Sequence, residues 1–228
     1  MTFELNDQLL KEAQSVLFDR DDIYWIIGGA GSGKSTISRV LAERCRIPIF
    51  DMDEYVFGRW MTRYNRERHP ASIAWFTAPN PLDWALSLSW IDFDSLYQAA
   101  NAEYLALLAE DYQNGAVRGP HLIDGGITHP SVLVQAVNPA RVVCLAASHS
   151  SAAEIWTSSG ERLAMKVQIM ALEDGPGKWA KFLEFDRLMT KTIIKQSRQE
   201  NIETIFRYKE TEVDRYTDRV ADVLGISP

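Results

Sequence analysis

The stretch WIIGGAGSGKSTISRVL, Trp25 to Leu41, decides how the rest of the chain is read. It sits inside a longer run in which the apolar segment DDIYWIIGG ends in paired glycines and KSTISRVLAERC follows with helical spacing. Ile37, Val40 and Leu41 fall on one face of that helix. A buried strand therefore runs through a glycine loop into a helix. Gly28, Gly33, Lys34 and Ser35 satisfy the pattern G-x-x-x-x-G-K-[ST]. Glycines let backbone N–H groups turn inward around an anion, and the helix that follows presents its positive end to the same point. Lysine adds a mobile cation, and serine a hydroxyl able to meet a divalent metal. Chance alone gives this pattern in roughly one chain of this length in a hundred. Its position between a strand and a helix makes chance the weaker explanation. The loop as a whole, Gly28, Gly29, Ala30, Gly31, Ser32, Gly33, Lys34, Ser35 and Thr36, is the expected phosphate cradle.

Working outward, Leu5, Leu9, Leu10, Ala13, Val16 and Leu17 recur at helical spacing and open the chain with a helix. Further strands are expected at IPIF, HLIDGG, ARVVCLAA and ETIFRY, and a long helix at DFDSLYQAANAEYLALLAEDYQNG. THPSVLVQAVNP reads as a short helix capped by its Thr or His, with proline in the first turn. Ser151 and Glu154 have capping-box spacing, residues 160 to 200 are helical with a break at DGPG, and Thr211 with Asp214 caps a closing helix through Leu224. Strands alternating with helices imply a parallel sheet covered on both faces, the α/β class. Ligands of such sheets bind at the carboxyl ends of the strands, where Gly28, Asp51 and Asp124 stand.

The 228 residues suit one domain. Twenty-four basic against 31 acidic side chains give a net charge of −7, which argues against a nucleic-acid surface. Cys45 and Cys144 have no His or Cys at ligand spacing and read as reduced thiols. No run of 18 or more apolar residues occurs, and the N-terminus lacks signal-peptide character. The expectation is a cytoplasmic protein with no membrane partner.

The loop alone does not separate motors, switches and kinases. FDMDEYVFG follows the second strand, with Asp51 and Asp53 two apart. If the strand continues past Phe50, both side chains lie on one side of the extended chain and face the terminal phosphate. One carboxylate near Mg²⁺ and one near an acceptor hydroxyl is what phosphoryl transfer to an alcohol requires. Two solvated acids at a strand end are the bland alternative.

With GGAGSGKST, FDMDEY and LIDGGI in hand, the chain resembles the P-loop small-molecule kinases, the group of shikimate kinase, adenylate kinase, nucleoside kinases and chloramphenicol phosphotransferase. The resemblance implies a P-loop NTPase three-layer fold of about five parallel strands. It also implies a helical substrate-binding insertion after strand two, about residues 54–115, and a lid over about 150–200. It implies ATP and Mg²⁺ as cofactors and a small hydroxyl compound as acceptor. Ser35 with Asp51 or Asp124 would serve the metal, and Asp53 the acceptor hydroxyl as base. Gly125 and Gly126 would admit the substrate to the backbone. The family's paired lid arginines are replaced here by Arg162 and Lys166 at i and i+4, with Arg187, Lys191 and Lys195 forming a second basic face. By the same resemblance RYKETEV, after strand five, would border the adenine.

Four of the seven tryptophans, Trp60, Trp75, Trp84 and Trp90, lie in the insertion beside Arg59, Arg63, Arg66, Arg68 and His69. They read either as the core of a helical subdomain or as an aromatic acceptor pocket with Arg59 or Arg63 reaching the substrate. A GTPase is disfavoured: Asn-Lys-x-Asp is absent, and Ile127 stands where Asp-x-x-Gly needs its glycine. A motor is disfavoured because LIDGG lacks the glutamate that follows its aspartate. The expected function is a phosphotransferase from Mg·ATP to a small alcohol, with Lys34, Asp53 and Arg162 catalytic. A regulatory nucleotide-binding module that has lost turnover, or merely hydrolyses ATP, is the rival.

Overall fold

The structure is a computed structural model describing residues 2–148, 151–208 and 212–226. Five parallel strands form one sheet: β1 (Ile23–Gly28), β2 (Ile49–Asp51), β3 (His121–Asp124), β4 (Val142–Ala147) and β5 (Glu203–Arg207), in the order β2-β3-β1-β4-β5. All five expected strands are present. β1 is central. From it the chain first moves out to β2 on one side, returns to β3, and then crosses to β4 on the other. The carboxyl end of β1 is thus the switch point of the sheet, where a crevice must open.

Alternation along β1 sorts the two faces. Ile23, Trp25 and Ile27 join the larger core with Phe50, Ile123, Val142 and Cys144. That face is covered by α1 (Asp7–Leu17), α6 (Trp90–Gln113) and α7 (Pro130–Leu133), and Ile193 of α10 (Gly175–Gln199) packs there too. Ile26 points the other way and meets Leu122, Val143, Leu145 and Ile205 under α2 (Lys34–Cys45) and α11 (Val213–Leu224). Both faces are therefore dry, as near-continuous apolar strands require. On α2, Ile37 and Leu41 are buried, joined by Ser38, while Val40 is only half-buried.

The segment after β2 is helical: a turn α3 (Met52–Glu54) running into a wider π-type turn over Tyr55–Arg59, then α4 (Pro70–Thr77), α5 (Pro81–Ser87) and α6. It is not a separate appendage, since Val56, Trp60, Tyr64 and Leu105 belong to the same core as Trp25. The long helix begins two residues before the expected Asp92, at Trp90, because Ser89 caps it through Asp92 N–H. α8 (Ala152–Ile155) opens on the Ser151–Glu154 capping box, and α9 (Gly160–Met170) and α10 are separated at the DGPG break, where Asp174 adopts φ 51° and caps Gly177 N–H. α7 is capped neither by Thr128 nor by a His129 side-chain bond; Thr128 and His129 are held by Asn101. Glu212 occupies the cap of α11 without a side-chain bond, and Thr211 lies outside the described residues.

Two arginines of the insertion, Arg63 and Arg68, are structural. Arg63 pairs with Glu110 and Asp111, and Asp111 also accepts the Trp60 indole N–H at 2.7 Å. Arg68 bridges Glu12 and Glu110. These ties fasten the first part of the insertion to α1 and to the insertion's own long helix, α6.

Glu103 is buried within α6 and accepts from Ala71 N–H, Ser72 N–H and the Ser72 hydroxyl, so it caps α4 from a distance. Burial pushes its carboxyl from 4.5 up to about 7, against the pull of those three donors. The folded state then holds this proton more tightly than the unfolded chain. The stability from Glu103 is full below pH 4.5 and is lost as pH rises through about 7. Denaturant titrations at several pH values are expected to show wild type losing stability relative to Glu103→Gln over that window. Glu103→Ala, which orphans three buried donors, is expected to cost about 2–4 kcal/mol.

Candidate functional site

Gly28 closes β1 where backbone meets backbone. A Cβ there would collide with the carbonyl oxygen of Leu145 on β4, so only glycine lets the loop leave the sheet at this point. The loop then rises and returns into α2. Thr190 of α10 packs on Gly29, and Ile155 at the end of α8 packs on Gly31. Lys34 folds back across the loop, its Nζ donating to the Gly28 carbonyl at 2.8 Å and the Gly29 carbonyl at 3.1 Å. Burial pulls its pKa down, with Asp124 and Asp53 opposing. Ser35 and Thr36 are exposed at the start of α2, and Ser32 is buried.

The two acids after β2 do not share one side of an extended chain. The strand stops at Asp51, whose Oδ1 accepts from Asp53 N–H (3.0 Å) and Glu54 N–H (3.2 Å), capping α3. That turn redirects Asp53. Its Oδ1 accepts from Gly126 N–H at 3.1 Å, and its Oδ2 lies beside Gly125. A Cβ on Gly126 would strike Met52, so the glycine pair after β3 lets this carboxylate approach. Asp53 is open to solvent yet sits in a concavity. Burial and the Asp51 carboxylate push its pKa above the usual aspartate range, against Lys34 and the Gly126 N–H.

Asp124 ends β3 in register with Asp51 on one side and Ile26 on the other. Its Oδ1 is buried with no hydrogen-bond partner. Burial raises its pKa, while the Ser35 hydroxyl and Lys34 pull the other way. Among the described residues, no group of three or more His, Cys, Asp or Glu is arranged to hold a metal ion by protein ligands alone.

A cavity of about 360 Å³ brings these parts together, lined by Gly28, Gly29, Ala30, Lys34, Asp53, Gly125 and Gly126. Tyr97 and Tyr104 of α6 and Asp186 of α10 also line it. It adjoins a larger cavity of about 490 Å³ between the insertion and helices α9 and α10, and the two share Phe57, Tyr97, Thr128, Trp156, Asp186 and Met189. Of the insertion tryptophans only Trp75 lines the larger cavity. Trp60 is buried core, Trp84 packs on Phe3, and Trp90 meets Phe93 at a tilt and Phe185 edge-on.

Arg59 does not reach either cavity. It pairs with Glu54 at 3.0 Å over the Tyr55 ring, on the surface. Arg162 Nη1 donates to the Ile155 carbonyl and the Ser158 hydroxyl, and its charge is felt by both Lys34 and Asp186. Lys166 turns instead to the Trp179 ring, so the expected cation pair is split. Arg187 is engaged by Glu184, and it, Lys191 and Lys195 are exposed. That face is a solvated helix surface.

Sequence reasoning passed over four side chains. Asn101 of α6 accepts from Thr128 and His129 N–H and donates to the Gly126 carbonyl, fixing the loop that holds Asp53. Its polarity within the apolar run AANAEYLALL was the available signal. Arg207, at the end of β5, donates to the Gly31 carbonyl at 2.9 Å. Trp156 and Asp186 bound both cavities. No family model and no curated protein matches the chain.

Carboxyl-detected NMR titration checks the electrostatics. Asp53 and Asp124 are expected to titrate above 3.8. Lys34→Met is expected to raise both further, and Asp124→Asn to lower Asp53.

Proposed function

We propose that this protein is an ATP-dependent small-molecule kinase of the P-loop type, transferring the γ-phosphate of Mg·ATP to an alcohol. One observation carries the reading: the Asp53 carboxylate, anchored on Gly126, lines the same cavity as the glycine loop and Lys34, with a larger hollow adjoining. Oδ2 of Asp53 is the oxygen left to take the acceptor's proton. The alcohol oxygen forms a bond to the γ-phosphorus as the bond to the bridging oxygen breaks, so that ADP leaves with that electron pair and Asp53 holds the proton.

The residues fit a magnesium ion. Asp124 offers a buried oxygen lacking a partner beside the Ser35 hydroxyl, and few protein ligands are needed where phosphates supply the rest. Asp51 is committed to capping α3, which favours Asp124 over Asp51. Bound there, the ion would neutralise phosphate charge. Lys34 is placed to leave its two loop carbonyls for phosphate oxygens, and Arg162 to approach from the lid. An open cavity of about 550 Å³ between β5 and α11, lined by Phe206, Tyr208, Arg215 and Tyr216, supports adenine there, since Tyr216 also approaches Gly33. Residues 209–211 of RYKETEV lie outside the described residues.

ADP release measured against a panel of hydroxyl compounds tests the reading. Strong stimulation by one class is expected; ATP binding indifferent to every acceptor would favour the regulatory module. Lys34→Ala is expected to abolish turnover. Asp53→Asn is expected to keep ATP affinity and lose about 10²–10⁴-fold in kcat. Because Asp53 must be ionised to accept a proton and its pKa is raised, kcat/KM is expected to climb with pH along an acid limb above the ordinary aspartate range.

A further inference from the structure

The larger cavity has a chemistry that narrows the acceptor. Its volume of about 490 Å³ is that of a site for a drug-sized molecule. Trp75 and Phe93 wall it from the insertion, and Trp156, Met165, Phe182 and Phe185 from the lid side. Among the described residues no Lys, Arg or His lines it, and Asp186 is the one charged group on its wall. A carboxylate or phosphate on the acceptor would meet no countercharge and one repelling anion, in an apolar surround where an unpaired charge is costly. A cation meets the opposite: a carboxylate and the negative faces of several rings.

Asp186 is placed to read that cation. It stands at the junction, lining the smaller cavity with Asp53 as well as the larger one. Burial raises its pKa, with the Trp156 indole N–H, Lys34 and Arg162 opposing. The Trp156 Nε1 that faces it is itself buried without a well-formed hydrogen bond. The indole thus has room for a further partner, and Asp186, though it feels the charges of Lys34 and Arg162, makes no ion pair with any described residue.

Resting on the kinase reading for the term acceptor, we infer that the acceptor is a ring-bearing apolar alcohol carrying a protonated amine. Its ring lies among the aromatic walls, its ammonium on Asp186, and its hydroxyl toward Asp53.

The test uses matched probes on the full chain: phenylethanolamine, its N-acetyl derivative and mandelate, with their naphthyl analogues. Calorimetric binding and ADP release are read in parallel. The amines are expected to bind at least about tenfold tighter than the neutral amides, and the carboxylates not at all. Asp186→Asn is expected to bring the amine-to-amide ratio toward one, at unchanged ATP affinity and with cooperative thermal unfolding retained. Should that variant fail to fold, Gln168→Lys, an exposed change on the same lining, is expected to weaken the amines and admit the carboxylates. Carboxylates binding as well as amines, no probe binding, or an unchanged ratio in Asp186→Asn would overturn the inference. So would lost ATP affinity in that variant, which would assign Asp186 to Lys34 and Arg162. Turnover of anionic alcohols alone would sink the inference and leave the kinase reading standing; amine binding with no ADP release from any hydroxyl compound would sink the kinase reading, and the acceptor with it, leaving only a cation-binding pocket.

Discussion

The site depends on where strand β2 is made to stop. Asp51 accepts two backbone N–H groups from the residues that follow it, and this converts an extended chain into a helical turn after only three strand residues. Without that turn, Asp53 would continue the alternation of the strand. With it, the side chain is carried toward the loop after β3 and anchored on the Gly126 amide. The loop is fixed in its turn by Asn101, which satisfies one carbonyl and two amides from within α6. A cap, an anchor and a buried amide therefore form one chain of hydrogen bonds from the sheet edge to the loop after β3.

The rest of the fold supplies rigidity around that chain. β1 is buried on both faces, so the loop at its end springs from a strand packed on either side. The insertion and the helices after β4 approach each other over the site. Leu86, Ile169 and Phe185 form a small core of their own between them, and Lys178 pairs with Asp83 across the same gap. Two segments far apart in sequence thus roof a common hollow.

Much of this was legible from residues alone. The strands, the glycine loop, the Ser151–Glu154 cap and the break before α10 are local signals, written within a few neighbouring residues. The geometry of Asp53 was not local. An aspartate can end a strand or continue it, and only the amides it found decided between the two. Arg59 and Arg63 looked equally available for a ligand until their acids were in place; Arg59 finds Glu54 close by, but Glu110 and Asp111, which hold Arg63, lie far off in the chain. Asp186 sits in a helix whose charged residues are mostly solvated, and nothing in its sequence neighbours marks it as the one that turns inward. Asn101 and Glu103 were the readable exceptions, since polar groups inside an apolar helical run need an interior partner.

The small core shared by Leu86, Ile169 and Phe185 gives the roof a temperature dependence. Parting its two halves wets apolar surface, so the separation carries a positive heat-capacity change. The apolar penalty for that movement shrinks on cooling and grows on warming from the cold. Any separation of the roof would, to that extent, be opposed less in the cold than in the warm.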